Sequence, residues 1–201
     1  MKMIQQIYLG FLLSILCVVA NAAKDFQTGD IIFQTSKSTQ SLAIQKATHS
    51  PYSHMGMLVY KSGQLWVLEA VQPVKYTPFQ QWVNRGVGQR YTVKRLYKSL
   101  NPAQQQKLQI AAEQYLGQPY DLYFEWSDRS IYCSEIVWKA YNQALNIQLA
   151  PLQQLKDFDL SDPAVKKLMQ QRYGKNIPLQ EKVISPDALF HSKYLITVKS
   201  K

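Results

Sequence analysis

Three side chains in this 201-residue sequence have the types that a thiol hydrolase needs. Cys133 lies in "YCSEIVWKAY" (132–141), His54 in "YSHMGMLVY" (52–60) and Glu69 in "QLWVLEAV" (64–71). Attack by sulfur on an amide or ester carbonyl requires a base, normally histidine. That base later becomes the acid for the leaving group, and a polar side chain must orient it. The chain offers three histidines, His49, His54 and His191. His49 precedes Ser50-Pro51 and reads as a loop residue, and His191 falls in a late polar segment. His54 opens a strand-like run, so it is the candidate base.

The surroundings of Cys133 are those of an amphipathic helix. Ile136, Val137, Ala140, Tyr141 and Ala144 follow it at offsets of three, four, seven, eight and eleven, so the thiol lies on the face that packs into a core. It also falls in the first turn, where backbone N–H groups without intrahelical acceptors and the helix dipole favour a thiolate. The same offsets suit an inert buried cysteine, which is the default reading of a lone thiol.

His54 and Glu69 are tied together by strand register. "HMGMLVY" (54–60) and "QLWVLEAV" (64–71) flank "KSGQ", a hairpin signal. A two-residue Ser-Gly turn sets Tyr60 opposite Leu65, position 56 opposite 69 and position 54 opposite 71. His54 and Glu69 then share a face one diagonal step apart. Residue 56 is glycine, so no side chain stands between them. Glu69 is the lone acid of an apolar strand, and a buried carboxylate there needs partners. The alternative is an edge strand with Glu69 in solvent, and a three-residue loop would shift the register and break the pairing.

The N-terminus reads as a secretory signal. Lys2 is followed by the uncharged run "IYLGFLLSILCVVA" (7–20) and the small-x-small pattern Ala20-Asn21-Ala22. The run is short for a membrane span. Large residues before Cys17 disfavour a lipoprotein site, while an uncleaved anchor stays as an alternative. Residues 1–22 are thus expected to be removed on export, leaving 23–201 as one domain, periplasmic. Loss of Cys17 would leave Cys133 without an intramolecular partner, a liability in an oxidising compartment unless the thiol is buried or used.

The formal net charge is +10, or +9 without Lys2. On an exported protein this points away from nucleic acid and towards anionic envelope polymers or a membrane surface. It reads equally as a solubilising surface. One cysteine among scattered histidines gives no metal-ligand spacing, and neither a Gly-rich phosphate loop nor a G-x-S-x-G elbow occurs. No metal or organic cofactor is expected.

The elements that must hold these side chains are legible from turn signals and periodicity. "GDIIFQT" (29–35) reads as a strand, 38–48 as a short helix, 54–60 and 64–71 as the hairpin, and 77–83 as a short helix with Pro78 near its start. "QRYTVKRL" (89–96) reads as a third paired strand. Residues 101–117 form the strongest helix, capped by Asn101 with Pro102 first and Gly117 last. The aromatic loop 118–132 leads into the Cys133 helix. A capped helix at 159–174, a short helix in "ISPDALFHS" and a final strand in "YLITVKS" complete the chain. Strands first and helices later point to α+β with an antiparallel sheet rather than alternating βαβ units.

"LGQPYDLYFEWSDRSIYCSEIVWKAY" resembles the Gly-x-Pro-Tyr segment and Asp-Cys-Ser-Gly helix start of NlpC/P60 cell-wall cysteine peptidases. In that family the histidine follows the cysteine. Here "SHMGM" precedes it, which is the circularly permuted order. With "GDIIFQTS", "ATHSPYSHMG" and "EAVQP", the pattern is similar to exported YiiX-type permuted papain-like hydrolases over most of residues 25–195.

The resemblance implies a permuted papain-like fold, with the nucleophile helix packed on an antiparallel sheet that carries the base. It implies Cys133 as nucleophile, His54 as base, Glu69 as the orienting residue and Tyr120 at the oxyanion site. Tyr132 and Ser134, beside the nucleophile, are its further candidates for oxyanion or substrate contact. "YCSE" departs from Asp-Cys-Ser-Gly, so peptide specificity is not carried over. The activity implied is amide or ester cleavage through a thioester, on a small peptide or acyl-amide of the cell envelope. A lipid-directed hydrolase or acyltransferase, with "YDLYFEW" (120–126) lining an acyl groove, and a non-catalytic envelope ligand-binding module are the alternatives.

Overall fold

The computed structural model describes residues 26–201. The expected signal and its cleavage site lie outside the described residues. Among the described residues eight strands and six α-helices follow in order: β1 (Ile31–Gln34), α1 (Ser41–Thr48), β2 (His54–Lys61), β3 (Gln64–Glu69), β4 (Lys75–Pro78), α2 (Phe79–Arg85), β5 (Thr92–Leu96), α3 (Pro102–Glu113), α4 (Cys133–Leu145), β6 (Gln153–Gln154), α5 (Pro163–Tyr173), β7 (Lys182–Val183), α6 (Pro186–Phe190) and β8 (Leu195–Ser200). Six strands form one antiparallel sheet in the order β4-β3-β2-β1-β5-β8, and β6 pairs with β7 apart from it.

The sheet is covered on both faces, so its central strands read as continuous apolar runs. On one face Phe33, Met55, Met57 and Leu68 pack against Ile136, Ala140 and Tyr141 of α4 and Leu108 of α3. On the other, Ile32, Leu58, Val67 and Val93 close over Trp82 and Val83 of α2. A smaller cluster joins α1 to α5 through Ala43, Val165 and Met169. Asp30, fully buried at the entry to β1, binds Arg95 of β5 through two hydrogen bonds of 2.7 Å each. The Tyr141 hydroxyl donates to the Gly29 carbonyl, which ties α4 to the same corner.

The hairpin has the expected register. Ser62 and Gly63 both take positive φ, +48° and +78°, as a two-residue turn compatible with strand twist requires. Tyr60 lies opposite Leu65, and the ladder continues to Met57 opposite Leu68.

Other boundaries move. Residues 75–78, read partly as helix, form β4 on the outer edge of β3, and Pro78 ends that strand rather than entering α2. Proline lacks an N–H for the ladder, so it suits a strand end on a sheet edge. α3 starts as expected, with Asn101 and Gln104 exchanging backbone hydrogen bonds, but it stops at Glu113 and leaves Gly117 in a turn at φ +81°. α5 begins at Pro163, capped by Asp162.

Candidate active site

The site forms where the start of β2 meets the start of α4. Burial along α4 matches the offsets read from its sequence: Cys133, Ile136, Val137, Ala140 and Tyr141 are all buried. Among the described residues Cys133 is the free cysteine. It is the first helical residue, preceded by Tyr132 in extended conformation, so its N–H needs no intrahelical acceptor. Glu135 lies in the same turn, takes the Tyr132 N–H at 3.3 Å and sits 2.8 Å from Lys139 Nζ. Burial pushes the Glu135 carboxyl up to about 8.

His54 is paired with the Glu69 carboxylate and lies near Cys133. Its Nε2 lies 2.6 Å from Glu69 Oε2, and the Cys133 side chain is near enough to act on the same ring. Burial on its own lowers the imidazole pKa, but the interactions with Cys133 and Glu69 outweigh it and hold the ring at about 9. The ring stacks on Trp82 at 5.9 Å between centroids. Glu69 is fully buried, and its other oxygen accepts from the Thr77 hydroxyl at 2.5 Å and from Arg85. Desolvation raises its pKa, but His54, Thr77 and Arg85 together hold it below the usual carboxylate range.

The glycine at 56 has the reason read from the sequence. A Cβ built there would lie 2.5 Å from Val67 Cγ1, 2.8 Å from the Leu68 carbonyl and 3.3 Å from Glu69 Cβ. The close approach of β3, and with it of Glu69, leaves no room for a side chain.

Tyr120 stands beside this group with an oriented hydroxyl. Gln40 Nε2 donates to the Tyr120 oxygen at 2.8 Å, while Arg172 Nη2 donates to Gln40 Oε1 at 2.5 Å. Arginine has no acceptor, so Gln40 must turn its oxygen to Arg172 and its NH2 to the tyrosine. With Gln40 as donor, the phenolic proton is left to point elsewhere. Burial, with the Cys133 charge adding to it, raises the Tyr120 pKa, so the hydroxyl stays protonated.

Tyr132 and Ser134 are buried with their polar atoms engaged. The Tyr132 hydroxyl accepts the Ile184 N–H at 3.0 Å, and Ser134 Oγ donates to the Ile184 carbonyl at 2.7 Å. Both hydroxyls fasten the segment after β7 across the start of α4. His49 and His191 are mostly exposed and pair with Asp159 at 3.3 Å and Asp187 at 3.4 Å.

Two spaces open onto the group. An apolar cavity between α1, α5 and the start of α4 is lined by Cys133, Tyr120, Phe124, Ile44, Val165 and Met169, among others. An open cleft is lined by His54 and Tyr120 together with Lys37, Gln40, Arg85 and Arg172. Thr77, Arg85, Gln40 and Arg172 were not singled out in the sequence. Thr77 depends on β4, and Gln40 and Arg172 meet across 132 positions without a local signal. Among the described residues no group of three or more His, Cys, Asp or Glu side chains is placed to hold a metal ion. Both Glu69 oxygens are already committed to His54, Thr77 and Arg85.

Residues 25–199 match the model of a family described as permuted papain-like amidase enzyme, YaeF/YiiX, C92. The chain is 53% identical to the uncharacterized protein YiiX of Escherichia coli (strain K12) over 187 residues, 93% of each chain. It is also similar to a solved structure described as that of metalloprotein yiiX, DUF1105, from Escherichia coli O157:H7. There the identity is 54% and the TM-score 0.85, covering 87% of this chain and 97% of the other. The permuted papain-like fold implied by the sequence resemblance is therefore the fold of this chain.

Proposed function

From the chain's membership of the YaeF/YiiX, C92 family of permuted papain-like amidases, we propose that it cleaves amide bonds through a Cys133 thioester. The observation that carries this reading is the buried His54–Glu69 pair, 2.6 Å apart, beside Cys133 in the first turn of α4. Cys133 attacks the carbonyl as a thiolate beside the His54 imidazolium. The Cys133 N–H and the Tyr120 hydroxyl take the oxyanion, a type of contact whose loss commonly costs about 3 kcal/mol. His54 gives its proton to the departing amine, then accepts one from the water that attacks the thioester, and acid and sulfur separate. Glu69 orients the ring and stabilises its charged form, while Thr77 and Arg85 fix Glu69.

The substrate we propose is an amide of the cell envelope, met after export. A stem peptide is one form of it. The apolar cavity at Cys133 favours a second form, an amide or ester whose acyl group is a hydrocarbon chain. Purified protein is incubated with stem peptides and with acylated lipids, and released amine and fatty acid are assayed beside a Cys133→Ala control. Equal product from protein and control in every arm refutes the thioester mechanism. Product from one substrate class selects between the two forms.

A further inference from the structure

The two spaces at the site are unlike in charge, and each opens onto a different partner of the reaction. Cys133 lines the apolar cavity and His54 lines the cleft, while Tyr120 and Leu168 border both. In thiol-mediated amide cleavage the acyl carbon stays on sulfur, and the amine leaves with the proton of the imidazolium. The acyl half of the substrate therefore belongs to the space Cys133 faces. The amine half belongs to the space His54 faces.

That second space is cationic. Lys37, Arg85 and Arg172 line it, and no aspartate or glutamate does. Arg85 is already engaged by Glu69. Lys37 is exposed at the mouth. Arg172 is held in place without being neutralised. Its Nη2 donates to Gln40, its guanidinium lies 4.7 Å over the Phe124 ring, and its Nη1 is buried with no hydrogen-bond partner. Asp121 acts on it through space but makes no ion pair with it; its Oδ1 takes the Tyr123 N–H at 2.7 Å and its Oδ2 is buried without a partner. A guanidinium fixed on the wall of the cleft, with donors beyond the one given to Gln40, matches an oxyanion group.

We infer that the amine half of the substrate carries an anionic group, carboxylate or phosphate, bound by Arg172 with Lys37, and that the scissile amide joins it to an apolar acyl half. This rests on the amidase reading for its orientation, but the anion subsite exists independently of turnover.

The test uses three amides sharing one decanoyl group: N-decanoyl-glycine, its uncharged glycinamide counterpart and N-decanoyl-phosphoethanolamine. The expected kcat/KM for at least one anionic member exceeds that for the glycinamide by about tenfold, mostly through KM, and the ratio shrinks with added salt. Arg172→Met and Lys37→Met lower the ratio towards one. Any effect of Arg172 on Tyr120 through Gln40 lowers all three rates alike and leaves the ratio unchanged. Glycine against phosphoethanolamine separates carboxylate from phosphate. Binding of the same compounds to Cys133→Ala by calorimetry reads the subsite without chemistry. A binding preference for the anions with no cleavage by the native protein supports the subsite and sinks the amidase reading. Equal cleavage and equal binding of charged and uncharged members overturns the subsite and leaves the amidase reading standing.

Discussion

Replacing Glu69 by glutamine removes one charge and almost no volume, which makes it the sharpest test of how His54 is controlled. The carboxylate lies 2.6 Å from Nε2 with no exposure to solvent. A unit charge pair at about 4 Å is worth about 4 kcal/mol at an effective dielectric near 20. Arg85 shares the same carboxylate and offsets part of its field at the imidazole, so about 2–3 kcal/mol is the working loss. That corresponds to about two pKa units, carrying the imidazole from about 9 towards roughly 7. If the thiolate–imidazolium pair that attacks the substrate loses the same stabilisation, kcat/KM falls by about 30- to 150-fold.

The fold should feel the change less. The amide oxygen can face His54, the Thr77 hydroxyl can turn to accept from the amide nitrogen, and the Arg85 side chain, 42% exposed, can turn to water. At pH 10, where His54 is uncharged in both proteins, a stability loss of about 1–2 kcal/mol follows for such a rearranged buried hydrogen bond. Profiles of kcat/KM between pH 5 and 10, with urea unfolding of the same samples, separate the two effects. An activity within threefold of native with the alkaline limb still near 9, or a stability loss at pH 10 as large as the kinetic one, refutes the assignment of Glu69 as the residue that orients and charges His54.

Three further outcomes follow from the same geometry. With native protein kcat/KM falls as pH rises through about 9, where His54 loses its proton. Because the folded-state pKa is raised from 6.5, this group's stabilisation, of order 3 kcal/mol, is complete below about 6.5 and lost across that window. Unfolding midpoints against a His54→Gln control check it, and parallel pH curves for the two proteins would contradict it. Gly56→Ala destabilises the sheet by about 2–3 kcal/mol, because the new methyl meets Val67 and the backbone carbonyl of Leu68. Thermal unfolding within 0.5 kcal/mol of native, on the order of a surface substitution, would mean that β2 and β3 separate more easily than this packing implies. Gln40→Leu frees the Tyr120 hydroxyl and lowers kcat about tenfold with KM within twofold, as expected for a weakened oxyanion donor. Gln40→Glu lowers it further by accepting the phenolic proton, whereas a change confined to KM would remove Tyr120 from the oxyanion site.

The hairpin shows what local sequence can decide. Ser62-Gly63 fixes a two-residue turn, the turn fixes the register, and the period of two then places Glu69 beside His54 across a glycine. The 3.6-residue period likewise sets which face of α4 is buried and leaves Cys133 in its first turn. Turn chemistry and side-chain periodicity act over a few residues, so both are written in the sequence.

Where the cysteine helix docks is not written there. The meeting of Cys133 with His54, 79 positions earlier, was reached through likeness to a family, because no periodicity extends over such a distance. The supports of the site escaped the sequence for the same reason. Thr77 reaches Glu69 because 75–78 pairs with β3 rather than joining α2, and Arg172 holds Gln40 because α5 packs on α1. The unequal character of the two spaces, apolar at the sulfur and cationic at the imidazole, arises from side chains that only packing brings to one place. Sequence determined the groups proposed to react and their local geometry. Tertiary structure decided which groups aim them, and what surrounds the bond they would cleave.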